Sequence, residues 1–254
     1  DANTEQTDEN LASSSSDPSA GEAAASAVDI NEDTSDYDWD TADEVTVTLA
    51  DNAITADSRA VSVNGSTATI DSPGSYRISG SLSNGQIIVS SAVDGVVRLI
   101  LNGVDIHNET SAAIYVEEAD KVIIYLVAGT ENYLSDGASY ILTDPESDEP
   151  NATLFSKADL TIDGAGSLTV TGNYNDGIAS KDGLIINSGT LTVFADDDGI
   201  RGKDYVLIRS ANITIDANGD GIKSDEAEDS AKGWIIIESG TLNVRAGMDA
   251  IDAE

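Results

Sequence analysis

The chain has no cysteine, one histidine, four prolines and few aromatic residues, 5% of the total. Without cysteine, disulfides contribute nothing to the fold and thiolate ligands are unavailable to a metal. The single histidine, His107, stands in no recognisable motif and is expected in a loop. Basic residues are also scarce. Twelve Lys and Arg face 47 Asp and Glu, a net charge of −35 at pH 7. That balance argues against binding nucleic acid and against electrostatic attachment to an anionic membrane. The longest uncharged apolar run, residues 122–128, is far too short to span a bilayer. No nucleophile triad or phosphate-binding loop is present. No signal peptide opens the chain, which starts at Asp1 and not at Met, as expected of a mature or trimmed secreted protein.

What the chain does have is a repeat. The phrase NDGIASKD beginning at Asn175 returns as DDGIRGKD from Asp197, as GDGIKSDE from Gly219, and as MDAIDAE from Met248. Its anchors Ile178, Ile200 and Ile222 are 22 residues apart, and Ile251 follows 29 residues later, after a seven-residue acidic insertion over 226–232. Residues 151–157 (NATLFSK) are a degenerate copy with Leu154 in the anchor position. A fixed period of this length signals a solenoid, in which each repeat stacks on the last. Each period holds three short alternating runs rich in Ile, Val and Thr, bounded by Ser, Gly and Asn, and such runs are strands. The expected fold is therefore all-β: a parallel β-helix with coils of about 22 residues and three strands per coil.

Stacking the coils aligns their acids. Asp176, Asp198, Asp220 and Asp249 fall in one column, Asn175 and Asp197 in the next, and Asp196 and Asn218 one further back; Asp225, in the third phrase, is a further candidate ligand. Two carboxylates at a strand spacing of about 4.8 Å repel by roughly 3.5 kcal/mol at an effective dielectric near 20. Protons or cations must relieve such a column. With oxygen donors alone the cation is hard, and calcium is the first choice. Turn chemistry is the plainer alternative, because Asp-Gly pairs favour turns.

Along the rest of the chain, residues 1–36 are Ser, Ala, Asp and Glu with little to bury, and are expected to form a disordered acidic tether. Residues 37–110 are expected to form a cap and early irregular coils, with Trp39 sealing the first coil, and residues 111–254 the regular β-helix. Residues 131–150, polar and interrupted by proline, are expected to project as a loop. The position after each anchor reads Tyr115, Phe155, Ala179, Arg201, Lys223 and Asp252, with Lys181 and Lys203 near the same edge. Aromatic rings beside cations on one outward strip could stack on a sugar and pair with its carboxylate. Alternatively, Arg201 and Lys223 merely neutralise the aspartate column. A second outward column, Ile123, Thr161, Ile185, Leu207 and Ile236, is more apolar than a solvated face and is expected to lie under a loop, the N-terminal segment or a protein contact.

Stretches such as NGQIIVSSAVDGVVRLILNGVDI, DEPNATLFSKADLTIDGAGSLTVTGNYNDGIASKDGLIINSGTLTV and DDDGIRGKDYVLIRS resemble a bacterial family of secreted carbohydrate-binding β-helix proteins. The resemblance covers roughly residues 44–254; the last phrase, MDAIDAE, departs from it where a further DGI is expected. It implies a right-handed, pectate-lyase-like helix and calcium-dependent binding of cellulose or acidic, pectin-type sugars without demonstrated cleavage. It also implies calcium ligands at Asp176, Asp197, Asp198 and Asp220. The expected function is calcium-dependent polysaccharide binding at the cell exterior. The alternatives are a calcium-dependent polysaccharide lyase with Arg201 or Lys223 as base, and a structural or adhesin rod rigidified by calcium. The sequence leaves the oligomeric state open.

Overall fold

The computed structural model describes residues 30–142 and 146–253. Almost every regular element is a strand, and nearly all pairings are parallel between strands one coil apart. The chain is a parallel β-solenoid with three faces. One face, the anchor face, is a sheet running through Gln86–Ser90, Ile114–Glu118, Ala152–Ser156, Asp176–Ser180, Ile200–Gly202, Ile222–Ser224 and Ile251–Ala253. The other two faces form one continuous sheet, because the 13-residue strand Val96–Asn108 turns the corner between them. Its first half pairs with Lys121–Leu126 and its second half with Glu131–Asp136.

Register is fixed by the apolar period. The anchor column Ile87, Ile114, Leu154, Ile178, Ile200, Ile222 and Ile251 pairs residue for residue. A slip of one residue would turn each Ile outward, so the buried face locks the pairing. One hydrophobic cluster runs from Val47 to Ile222, so the boundary at residue 110 is a change of regularity and not of core.

The N-terminal end is closed by antiparallel hairpins. Val45–Asp51 pairs with Ala53–Ala56, and Val61–Asn64 with Thr67–Ile70, placing Ile54 and Val61 over the first coil. Trp39 therefore does not seal that end. It lies on the side of the solenoid, edge-on to Tyr125 with centroids 5.0 Å apart. It belongs to a strap, residues 30–44, laid across successive coils. Asp36 binds Lys121, and its carbonyl accepts from Arg98 at 2.8 Å. Glu32 takes two hydrogen bonds from Arg209, at 2.7 and 2.6 Å. Ile30 packs on Ile185, Tyr205, Leu207 and Ile236. The apolar outward column is thus covered by the N-terminal segment. Residues 30–36, assigned to the tether from their polarity, are docked by these ion pairs; residues 1–29 lie outside the described residues.

Two further expectations change. Glu131–Asp136 is a strand of the solenoid, paired with Ser167–Gly172, so the projecting loop begins only at residue 137. His107 is in a strand, with Nδ1 2.9 Å from Ser135 Oγ. Among the described residues no helix is long and apolar enough to cross a membrane.

Candidate functional site: the aspartate column

The first DGI phrase lies within a strand, Asp176–Ser180, while the second and third enter their strands only at Ile200 and Ile222, with Asp198-Gly199 and Asp220-Gly221 at the corner before them. Gly177, Gly199 and Gly221 have ordinary negative or extended φ, and the space a Cβ would occupy is already filled. It would meet Val193 Cγ1 at 2.4 Å, Ile215 Cγ2 at 2.5 Å and Val244 Cγ1 at 2.3 Å respectively. Glycine is required there because core side chains press against the backbone, and not because the backbone is left-handed. The preceding aspartates are buried: Asp176 is 1% exposed, Asp198 6% and Asp220 3%.

Each buried carboxylate caps the next coil. Asp176 Oδ1 accepts from the Asp198 backbone N–H at 3.2 Å, Asp198 Oδ1 from Asp220 at 2.8 Å, and Asp220 Oδ1 from Asp249 at 2.9 Å. The Oδ2 atoms face outward toward two cations. Lys223 Nζ is 2.7 Å from Asp220, 3.8 Å from Asp198 and 3.6 Å from Asp252. Arg201 Nη1 is 3.6 Å from Asp176 Oδ2, and its Nη2 pairs with Asp225. Two buried carboxylate oxygens, Asp176 Oδ2 and Asp225 Oδ1, have no hydrogen-bond partner among the described residues.

The electrostatics grade along the column. Burial, then the neighbouring Asp198 charge, pushes Asp176 up to about 7, against the pull of Arg201. Burial also raises Asp198. At Asp220 burial acts upward, but the hydrogen bond from Lys223 carries its carboxyl below the usual value. Lys223 is raised in turn, first by Asp220. Burial works to lower Arg201, and Asp225 and Asp176 outweigh it to hold the guanidinium above its ordinary value.

The remaining predicted residues divide. Asp196, Asp197 and Asn218 are exposed at the rim, with Asn218 Nδ2 3.2 Å from Asp196 Oδ1. Asn175 is half-buried and Asp249 is exposed. Asp197 Oδ1 and Asp198 Oδ1 converge over Gly219, where an added Cβ would lie 2.4 and 2.6 Å from them. Phe155 does not face outward to a sugar. It is fully buried, packed with Ala112, Ala152 and Ala179 beside the half-buried Tyr115. Lys181 pairs with Glu149 at 2.9 Å and Lys203 with Glu226 at 3.0 Å. Glu149 also binds Lys157, at 3.3 Å, a pairing across a loop that no sequence period signals.

The donors suit a hard cation, but the protein does not complete a cage for one. Among the described residues no three acidic or histidine side chains converge as a metal site. Calcium takes six to eight oxygens. An ion held by Asp176, Asp197, Asp198 or Asp225 would draw the rest from water or from a ligand.

Sequence comparison matches residues 64–254 to the family described as carbohydrate-binding domain-containing protein. A protein of that description from Acetivibrio thermocellus is 48% identical over 193 residues, 76% of this chain and 68% of the relative. Among solved structures, the gadolinium derivative of a polysaccharide lyase-like protein from C. thermocellum superposes with a TM-score of 0.79 at 34% identity. The match covers 83% of this chain and 94% of that one. The chain belongs to the carbohydrate-binding domain family and has the β-solenoid of the polysaccharide lyase-like protein.

Proposed function

We propose that this chain is a calcium-assisted polysaccharide-binding module of the cell exterior, taking acidic plant cell-wall sugars such as polygalacturonate, and cellulose. The observation that carries the calcium step is that two buried carboxylate oxygens, Asp176 Oδ2 and Asp225 Oδ1, accept no hydrogen bond among the described residues, in a chain of net charge −35. A cation there relieves the column, and its open coordination positions meet uronate carboxylates that the protein would otherwise repel. The solved relative is a gadolinium derivative, gadolinium being, like calcium, a hard, oxygen-seeking cation. Arg201 and Lys223 are held protonated by their aspartates, the wrong state for a base that must remove a proton, which weighs against a lyase using either.

The test is calorimetric titration of oligogalacturonate, with calcium and with chelator, on the wild type and on Asp176→Asn/Asp225→Asn. Heat with calcium alone, and fewer calcium ions bound by the variant, are expected. If calcium raises the melting temperature while no sugar gives heat, the chain is a structural rod. Unsaturated product absorbing in the ultraviolet would instead make it a lyase.

A further inference from the structure

Five of the chain's twelve basic residues stand in two columns on the anchor face or at its edge. Arg201 and Lys223 pair in register within the sheet. Lys157, Lys181 and Lys203 form the second column. They directly follow Ser156, Ser180 and Gly202, which pair residue for residue. The backbone N–H groups of Lys181 and Lys203 each donate to the coil before, at 2.9 Å, so the ladder runs on through the lysines. Three ammonium groups therefore spring from points about 4.8 Å apart along the solenoid axis. Asp225 takes the column's next place, 22 residues after Lys203, and pairs there with Arg201. The lysine column thus leads directly to the carboxylates proposed above to hold a cation.

The two columns find their acids in different places. Arg201 and Lys223 face Asp176, Asp198, Asp220 and Asp225, all from the repeated phrase itself. The lysine column takes its acids from outside the repeat. Glu149, between the strands Glu131–Asp136 and Ala152–Ser156, bridges two coils: its carboxylate is 2.9 Å from Lys181 Nζ and 3.3 Å from Lys157 Nζ. Glu226, the first residue of the acidic insertion, is 3.0 Å from Lys203 Nζ. With these acids in place the lysine side chains are still 37–41% exposed, against 23–24% for Arg201 and Lys223, so solvent reaches the ammonium groups. Exposed pairs of this kind add little net stability, because water solvates each partner nearly as well. A carboxylate arriving from solvent replaces either glutamate like for like.

We infer that Glu149 and Glu226 are internal stand-ins for ligand carboxylates: they occupy the Lys157–Lys181–Lys203 column in the free protein, and a polyanionic chain running along the axis from the lysines to Asp225 displaces them. The inference rests on the acidic-sugar binding proposed above and adds a competition within the chain itself. It also sets a length requirement. A single uronate meets glutamates that the protein already holds beside the lysines at high effective concentration, and gains little by exchange. A polymer spans the lysine column and the cation site together, so each contact raises the effective concentration of the next carboxylate.

The experiment titrates oligogalacturonate, and galacturonate monomer beside it, into the full chain in calcium. The variants are Glu149→Gln/Glu226→Gln, which empties the column of its acids, and Lys157→Ala/Lys181→Ala, which removes two of its cations. Asp105→Asn/Glu131→Gln removes the same two charges at exposed positions on another face and controls for net charge. The glutamate variant is expected to bind the oligomer more tightly than wild type by about threefold or more, and more tightly than the control. The lysine variant should bind it about tenfold more weakly with its calcium stoichiometry unchanged. Monomer should give heat only with the glutamate variant, if with any. Oligomer affinity in the glutamate variant that is equal to or below that of wild type or control overturns the inference; combined with a lower melting temperature, it makes the glutamates structural pins. So does a lysine variant that binds as wild type does. Either result leaves wild-type binding of the oligomer standing. No heat from any of the four proteins overturns the acidic-sugar reading itself, and heat from the glutamate variant alone upholds the inference in its strongest form.

Discussion

Asp176→Asn is the substitution whose effect follows most directly from the structure. Asp176 is 1% exposed, and its carboxyl titrates at about 7 against an ordinary value of 3.8. Between those values the folded chain holds a proton that the unfolded chain has released. Stability from this group is therefore fully present below pH of about 4, falls as pH rises, and levels off above about 7. A shift of about three units corresponds to roughly 4 kcal/mol lost across that window. Asn keeps the Oδ1 acceptor for the Asp198 N–H but turns an amide toward Arg201, at a cost of about 1 kcal/mol. The variant should be no more stable than the wild type at pH 4, and more stable by about 3 kcal/mol at pH 8. For a chain of this size that is a gain of roughly 6–12 °C in melting temperature. Thermal melts in chelator from pH 4 to 9 read it directly. Parallel profiles for the two proteins would refute a buried, proton-holding Asp176.

Arg201→Ala leaves Asp176 and Asp225 without their cation. A loss of about 2–4 kcal/mol, larger at pH 8 than at pH 5, is expected in denaturant titrations. Gly177→Ala drives a Cβ to 2.4 Å from Val193 Cγ1 and should cost about 1–3 kcal/mol by the same measurement, although Ala is ordinarily the more favourable strand residue. Trp39→Ala removes the contacts with Tyr125 and with the Arg98 guanidinium, 5.9 Å from the indole centroid. Limited proteolysis should then cleave within residues 30–44 while the solenoid core remains intact.

The repeat was legible because stacking is a one-dimensional problem. A period of 22 residues carries residue-for-residue registration with it, so the anchor column from Leu154 to Ile251 and the alignment of Asp176, Asp198 and Asp220 could be read before any coordinates. The reason for glycine in the phrase could not. Asp-Gly looks the same in sequence whether the glycine supplies a left-handed backbone or, as here, room for a core side chain against the chain. Phe155 misled for a related reason. Alternation gives the side of the sheet, but not whether that side is solvated, and Phe155 is fully buried among Ala112, Ala152 and Ala179.

The sequence by itself determined the fold class, the three-strand coil and which residues share a column, since period and alternation act locally and repeat. Only the tertiary structure decided what covers each face. The strap from Ile30 to Glu44 lies on the apolar column through pairs such as Glu32–Arg209, 177 residues apart, which no period encodes. Likewise, the partition of the column's charge among a proton on Asp176, the Arg201 guanidinium and Lys223 depends on burial and on distances of a few ångströms. Composition supplies the charges, and three-dimensional packing sets how strongly each is felt.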